Sequence, residues 1–397
     1  MKKNLLFFVF IFFFASCDKK QGVGVTSFVN EENVVVVSIP KPDYDNQHFF
    51  DVTQYADSVK FIKLETTNEN IIGRVDGLLF SKDYIIVTDR QTASILFFDY
   101  DGTYSHKIHK RGQAGDEYIR LSHVMLDREN DMLIVLDMDL RAMLYYDFQG
   151  NLISRIDRFC DGTVIRDIIN LSSGDFLCYR QDGLGSELEW QAGVWKVKKD
   201  GSFDKFIYTV DFDYESTFVQ YPYHLSELPD NKVSFVDQNQ TAVFYVDDND
   251  VAYKRVQFKL PGKTEADFPE EDSKSEGYYS IFTNQEKGDF IFTEWITPGG
   301  KMINTILTKN TGKLEAGVAF SPFAFGFFLP IGSFLKNNDP NIYSSWFSPM
   351  VINEFLKEGD HLPDNLRQMA EKVIEGIPSN EIENSNPIIQ LLYIKNN

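Results

Sequence analysis

From about residue 49 onward the chain alternates short apolar runs with Gly, Asp and Asn turns. One unit recurs. A turn residue opens an alternating or wholly apolar run at Asp83–Thr88, Asp131–Leu136, Asp175–Tyr179, Asn231–Val236, Asp289–Thr293 and Asn341–Trp346, at intervals of 44 to 58 residues. A second run follows and ends in a hairpin: Ile95–Asp99 before Gly102, Met143–Asp147 before Gly150, Val194–Lys198 before Gly201, Val243–Asp247 before Asn249, and Ile306–Asn310 before Gly312. In three units the Asp closing the first run stands ten residues before the hairpin Asp: Asp89 and Asp99, Asp137 and Asp147, Asp237 and Asp247. Strands of about 5–6 residues with period two bury one face or both, and Asx and Gly turns supply the positive φ of tight hairpins. Four such strands with their turns need about 40–50 residues, the size of one propeller blade. A blade buries its faces only against other blades in a ring. Six copies predict an all-β, six-bladed β-propeller.

The ends of the pattern predict how the ring closes. Val59–Glu65 is a lone strand before the first unit, and Ile388–Ile394 a lone strand at the C-terminus. The sixth unit has its first strands near 325–333 and 342–347 and no hairpin partner. The two terminal strands are therefore expected to complete that blade together, strands 59–65 and 388–394 side by side. Between them, Val351, Phe355, Leu362, Leu366, Met369 and Val373 recur at helical spacing, with Pro363 near a start and Gly376 near a stop. That predicts a small helical insertion at about 350–376 within a propeller spanning 49–397.

The N-terminus has a different pattern. Lys2 and Lys3 precede ten apolar residues, Leu5–Phe14, then Ala15, Ser16 and Cys17. A positive start, a short apolar stretch and small residues describe a secretory signal at 1–16; the run is shorter than the ~20 residues that cross a bilayer. Phe14–Cys17 resembles the bacterial lipobox, which implies an acylated Cys17, the lipid bilayer as a partner, and 17–48 as a tether with one possible short strand at Val34–Ile39. Acyl chains hold a domain on a membrane at ~0.8 kcal/mol per buried methylene.

Composition narrows the partners. The chain is 43% apolar and 15% aromatic, with net charge −20, or −22 once Lys2 and Lys3 leave with the signal. Such a surface repels phosphate backbones and excludes nucleic acid and a polybasic membrane patch. Cys160 and Cys178 remain after Cys17; an exported location permits a bridge between them, while the alternating run around Cys178 suits a buried free thiol.

Three segments carry a resemblance: Gly73–Asp76, Arg111–Tyr118 (Arg-Gly-Gln-Ala-Gly-Asp-Glu-Tyr) and Asn386-Pro387 before the last strand. Together they resemble the six-bladed β-propeller lipoproteins of gut Bacteroidota, which are related in pattern to NHL-repeat propellers. The resemblance covers about residues 35–395, with Ala114 where that family often has Pro, and blades three and five departing most. It implies the fold and an exported location, and it supplies no reaction.

No catalytic signature stands out. Gly-x-Ser-x-Gly, His-Glu-x-x-His, Walker and dinucleotide motifs are all missing from the chain. His106 and His109, three apart on a strand, point to opposite faces and make no metal pair. The repeated Asp residues are spread over separate units, so turn and strand-end hydrogen bonds explain them better than calcium, which needs converging oxygens. No cofactor or metal is implied. Propellers bind ligands at the axial mouth. Counting back about nine residues from each turn places Arg74, Asp76, His123, Arg166, Asp167, Tyr223, His224 and Tyr279 at the starts of the innermost strands, as candidate channel-rim ligands. Trp195 and Trp346 fit core positions; Trp190 and Trp295 are expected at the surface. The leading expectation is a non-enzymatic propeller binding a glycan, peptide or protein in the cell envelope, facing the periplasm, since Cys17–Lys20 lacks an acidic run. The alternative is a propeller hydrolase or lactonase-like enzyme, which requires two carboxylates, or a carboxylate and His, converging in the channel.

Overall fold

The computed structural model describes residues 26–28, 34–40, 48–162, 164–180, 192–209, 225–229, 232–237, 241–260, 280–296, 302–320, 334–358 and 364–395. Cys17 and the leader, Trp190, Tyr223, His224, Tyr279 and the segment 325–333 lie outside them.

The chain forms a six-bladed β-propeller. Four N-terminal strands, β1 (Thr26–Phe28), β2 (Val35–Ser38), β3 (Phe49–Asp51) and β4 (Ala56–Lys63), precede the blades. Blade 1 holds β5 (Gly77–Phe80), β6 (Ile85–Asp89), β7 (Ser94–Phe98) and β8 (Tyr104–Ile108); blade 2 holds β9 (His123–Asp127), β10 (Met132–Asp137), β11 (Ala142–Asp147) and β12 (Leu152–Asp157). Blade 3 holds β13 (Asp167–Asn170), β14 (Phe176–Arg180), β15 (Gly193–Val197) and β16 (Phe203–Thr209); blade 4 holds β17 (Leu225–Glu227), β18 (Val233–Asp237), β19 (Ala242–Val246) and β20 (Ala252–Lys259). Blade 5 holds β21 (Ser280–Lys287), β22 (Phe290–Ile296), β23 (Met302–Thr308) and β24 (Lys313–Phe320). Blade 6 runs β25 (Phe334–Leu335), β26 (Ile342–Phe347), β27 (Ile388–Ile394) and then β4, antiparallel throughout. The outermost strand of the last blade is thus the N-terminal one, with Ile62 opposite Ile389. Helices α1 (Pro349–Glu358) and α2 (Asp364–Ile374) interrupt blade 6 between β26 and β27.

The sequence pattern explains each element. Hairpin glycines Gly102, Gly150, Gly201 and Gly312 all have positive φ, and a Cβ at Gly102 would lie 2.0 Å from the Lys63 carbonyl oxygen. In the first two ten-residue pairs the first Asp staples chain to strand, while Asp237 accepts from the Tyr208 hydroxyl. Asp89 accepts from the backbone N–H of Gly73, Gln91 and Thr92; Asp137 accepts from Ile119, Arg120, Asp139 and Leu140. The second Asp closes its own hairpin, as Asp147 does with Gln149 and Asn151. Ring closure is reinforced by buried Asn386. Its side chain accepts from the Ile72 N–H at 2.8 Å and donates to the Glu65 and Asn70 carbonyls at 2.8 and 3.0 Å.

Among the described residues, six apolar clusters fill the six gaps between consecutive blades; Leu79, Ile95, Leu133 and Val135, for example, join blades 1 and 2. Burying apolar surface is worth roughly 25 cal/mol per Å2, and no blade can bury both faces alone.

Two expectations need correction. Residues 35–39 form the short strand expected there, but it is packed and not part of a free tether: β2 runs parallel to β20 on the outer edge of blade 4, with Val35, Val37 and Ile39 buried. Strand β3 does the same on β24. The apolar alternation of this segment covers edges that would otherwise present unpaired backbone. Trp295, expected at the surface, is fully buried in β22; its indole donates to Thr293 Oγ at 2.8 Å. The nearby Pro298-Gly299-Gly300 sequence said nothing about which face Trp295 takes. Cys160 and Cys178 are both buried and free.

Candidate functional site

The innermost strands β5, β9, β13, β17, β21 and β25 line the axis. They are stitched to one another by a few polar contacts. Leu78 N–H donates to the Lys336 carbonyl at 3.2 Å, and Phe80 N–H to Asn338 Oδ1 at 2.8 Å, joining blades 1 and 6. Asn170 donates to the Leu126 carbonyl across blades 3 and 2; Leu225 N–H donates to Asp167 Oδ2 at 2.9 Å across blades 4 and 3. Ser226 donates to the Asn284 carbonyl across blades 4 and 5. Lys287 Nζ, in blade 5, donates to Asp339 O at 2.7 Å and to Asn337 Oδ1 at 3.1 Å in blade 6. The segment Lys336–Asp339, directly after β25, is where most of these contacts meet. Lys336 also pairs with Asp167, so one ion pair spans the hub between opposite blades 6 and 3.

Around this pair lies an axial cavity of ≈ 60 Å3, lined among others by Asp76, Arg90, His123, Glu227, Lys336 and Asn337. A second, smaller pocket of ≈ 10 Å3 beside it shares Glu227, Lys336 and Asn337 and adds Ser226, Asn284, Gln285 and Lys287.

The charged groups perturb one another. Burial pushes His123 down to about 4, and Arg90 and Lys336 add to that; Asp167 and a hydrogen bond to the Ile165 carbonyl pull the other way. His123 is therefore neutral at physiological pH. Burial tends to raise the Asp167 carboxyl, but Lys336, His123 and the Leu225 N–H outweigh it and hold it below the ordinary value. Burial raises Glu227 despite Lys336, Lys287 and Arg128. Burial also lowers Lys287, to about 8, against the pull of Glu227 and Asp339.

The candidates named from sequence fall in several places. Asp76 and His123 line the cavity, and Asp167 forms the cross-axis pair. Arg74 stands outside the lining, largely exposed, and pairs with Asp76 at 2.7 Å. Arg166 is also outside the lining, its backbone N–H bound to the Tyr179 carbonyl. Tyr223, His224 and Tyr279 are outside the described residues. Sequence reasoning missed Glu227, Lys287, Lys336 and Asn337. It looked only at strand starts, whereas β5, β13 and β17 are three or four residues long. At ~3.3 Å per residue, such strands bring start and end groups within reach of one cavity. The signal that could have found them is the polar run Lys336-Asn337-Asn338-Asp339 following an apolar pair.

The Arg111–Tyr118 element is structural. Tyr118 is fully buried and its hydroxyl donates to the Ala93 carbonyl at 2.9 Å, while Glu117 accepts from Ala114 N–H. A Cβ on Gly112 would meet the Glu117 carboxylate at 1.8 Å. Among the described residues no three His, Cys, Asp or Glu side chains gather as a metal site, and no helix is long and apolar enough to cross a membrane.

A family model described as Domain of unknown function (DUF4934) matches residues 34–393. The chain belongs to that family. No curated protein matches it. A solved structure from Bacteroides fragilis, described as an exported protein, superposes with a TM-score of 0.67 at 15% identity, covering 91% of this chain and 99% of its own. A DUF4221 family member from Bacteroides vulgatus gives a TM-score of 0.52 at 8% identity, covering 86% and 97%. These likenesses establish the fold. In this DUF4934 chain the hub chemistry rests on its own residues: a neutral His123, a paired Asp167, and a Glu227–Lys287 couple whose pKa values have moved toward each other.

Proposed function

We propose that this protein is an exported, lipid-anchored propeller of the bacterial cell envelope that binds a small polar ligand in its axial cavity and does not turn it over. The observation that carries the binding reading is the hub itself. Six blades converge on a cavity whose lining sets cations, carboxylates and amides among apolar side chains such as Leu121, Met125 and Ile168, and a few placed polar groups in such a lining orient a small ligand. The argument against turnover is the state of its acid–base groups. His123, at about 4, is a weak base at neutral pH. Asp167, its carboxylate neighbour, is committed to Lys336 and the Leu225 N–H.

The anchor rests on Lys2, Lys3, Leu5–Phe14 and the Ala15-Ser16-Cys17 sequence, together with the exported description of the B. fragilis structure. The lack of an acidic run after Cys17 favours the periplasmic face over the cell surface. A glycan or peptide chain remains in scope where one end of it enters the cavity. The hydrolase or lactonase-like alternative would draw on Glu227 and Lys287, whose displaced pKa values suit proton transfer.

The test is a binding screen of small polar molecules, glycans and peptides against the full chain, purified in detergent, beside Glu227→Gln and Arg74→Ala. A hub ligand loses affinity in Glu227→Gln and keeps it in Arg74→Ala. Hits unaffected by Glu227→Gln would move the site off the axis. Turnover of a hit, lost in Glu227→Gln, would establish the enzyme instead.

A further inference from the structure

One wall of the axial cavity has hydrogen-bonding capacity that the fold leaves unused. Asn284 and Gln285 are adjacent on β21, 1% and 5% exposed, and both line the hub. Among the described residues, neither the NH2 nor the carbonyl oxygen of either side-chain amide reaches a partner. Glu227 lines the same space, and among the described residues its carboxylate makes no hydrogen bond and no ion pair within 4 Å. The lysines beside it are already engaged: Lys287 with Asn337 and Asp339, Lys336 with Asp167. A buried polar group left unmade costs about 1–3 kcal/mol, and native interiors rarely leave several together.

The unused groups define what would satisfy them. Two amide NH2 groups offer donors under the field of two lysine ammoniums. Two amide oxygens and one carboxylate ask for donors in return. A plain anion satisfies the first set and faces Glu227 with nothing to give it. A plain cation satisfies Glu227 and meets Lys287 and Lys336. A molecule with a carboxylate and a hydrogen-bond donor on the adjacent carbon answers both sets. Size agrees only if both spaces are used: at about 10–15 Å3 of cavity per water-sized group, the ≈ 60 Å3 beside His123 and the ≈ 10 Å3 under the two amides, which share Glu227, Lys336 and Asn337, take about five or six non-hydrogen atoms.

We propose that the axial cavity binds a short α-amino or α-hydroxy carboxylate, its carboxylate held by the Asn284 and Gln285 amides near Lys287 and Lys336, and its α-donor by Glu227. The proposal deepens the small-ligand reading above and rests on it.

The probes are glycine, alanine, glycolate and lactate, with propionate as the carboxylate that has no α-donor and glycerol as the neutral polyol. Calorimetric titration of the full chain in detergent should show the α-substituted acids binding at least tenfold more tightly than propionate or glycerol. Gln285→Leu should weaken them at least tenfold. Because its amide is unpaired without ligand, the same variant should raise the urea midpoint of the ligand-free protein. Glu227→Gln, which keeps the shape, should weaken the amino acids more than the hydroxy acids and serves if Gln285→Leu does not fold. Propionate binding as tightly as lactate overturns the α-donor assignment. Glycerol or another polyol binding in place of the acids overturns the ligand class and leaves the hub as a site. No binding by any probe or screened molecule, with a lower midpoint for Gln285→Leu, means the amides hold structural water, and both readings fall.

Discussion

Lys336→Met is the sharpest test of the hub's electrostatics. It removes the cation from a carboxylate, Asp167, that is 1% exposed, and it leaves an aliphatic chain of similar length. Breaking a buried pair from one side costs about 3–5 kcal/mol, because the remaining charge stays desolvated. Asp167 keeps two backbone donors, Leu225 N–H and Ile168 N–H, both at 2.9 Å, and Lys336 is itself partly exposed. Both place the loss at the low end, about 3 kcal/mol. With a urea m-value of about 3 kcal/mol/M, the midpoint should fall by about 1 M, read by the fluorescence of buried Trp195 and Trp295. The pH dependence carries the sign. In the native protein Asp167 has a lowered pKa, so its contribution is present above the unfolded carboxyl value and is lost as pH falls through the folded one. Without Lys336, burial dominates and the folded pKa rises above the unfolded value. The carboxylate then penalises folding at neutral pH, and part of the loss returns as pH drops toward 5. Asp167→Asn in the Lys336→Met background should restore most of the stability, a coupling that a double-mutant cycle measures. Equal loss in the single and double variants, unchanged between pH 7.5 and 5, would refute the claim that the pair is what matters.

Other outcomes follow from the same contacts. His123 has a folded pKa of about 4 against an ordinary 6.5, so the unfolded state binds the proton first. Its stabilising effect is complete above about pH 6.5 and is lost on acidification toward 4, by at most about 3 kcal/mol. His123→Gln should remove that component from the difference in urea stability between pH 7 and 4.5. Asn386→Ala leaves the Ile72 N–H and the Glu65 and Asn70 carbonyls without their partner, and should cost about 3 kcal/mol in urea unfolding. A loss under 1 kcal/mol would mean closure is held by β4 and β27 alone. Burial pushes the Cys160 thiol up to about 12 and Cys178 well above its ordinary value, so neither should react with a thiol reagent in the native protein. The proposed lipid on Cys17 would make its sulfur a thioether, so the membrane-extracted protein should titrate two thiols in urea; three would sink the anchor.

Most of the residues that made the sequence recognisable hold the ring together, although Asp76 of the Gly73–Asp76 segment also lines the cavity. Asp89 and Asp137 staple blade entries, Tyr118 and Glu117 lock the loop between blades 1 and 2, and Asn386 ties the last strand to the first. Except for Asn386, whose partners lie at the other end of the chain, their side chains bond to backbone nearby in sequence, so the pattern can be read along the chain. The hub residues have no such spacing. Glu227, Lys287 and Lys336 lie about fifty to sixty residues apart, one per blade, in segments with no common signature.

What the sequence determined by itself was the local geometry: strand period, hairpin glycines, the blade count, the two terminal strands left over for blade 6, and the helical insertion. Period two and positive φ are properties of neighbouring residues, which is why they survive in one dimension. The tertiary structure decided the rest. It packed β2 against blade 4, buried Trp295, and drew both ends of very short inner strands into one cavity. Which face of a strand is covered, and which charges meet across an axis, depends on the closure of six sheets at once. That closure brings Asp167 and Lys336 together although 168 residues of chain separate them.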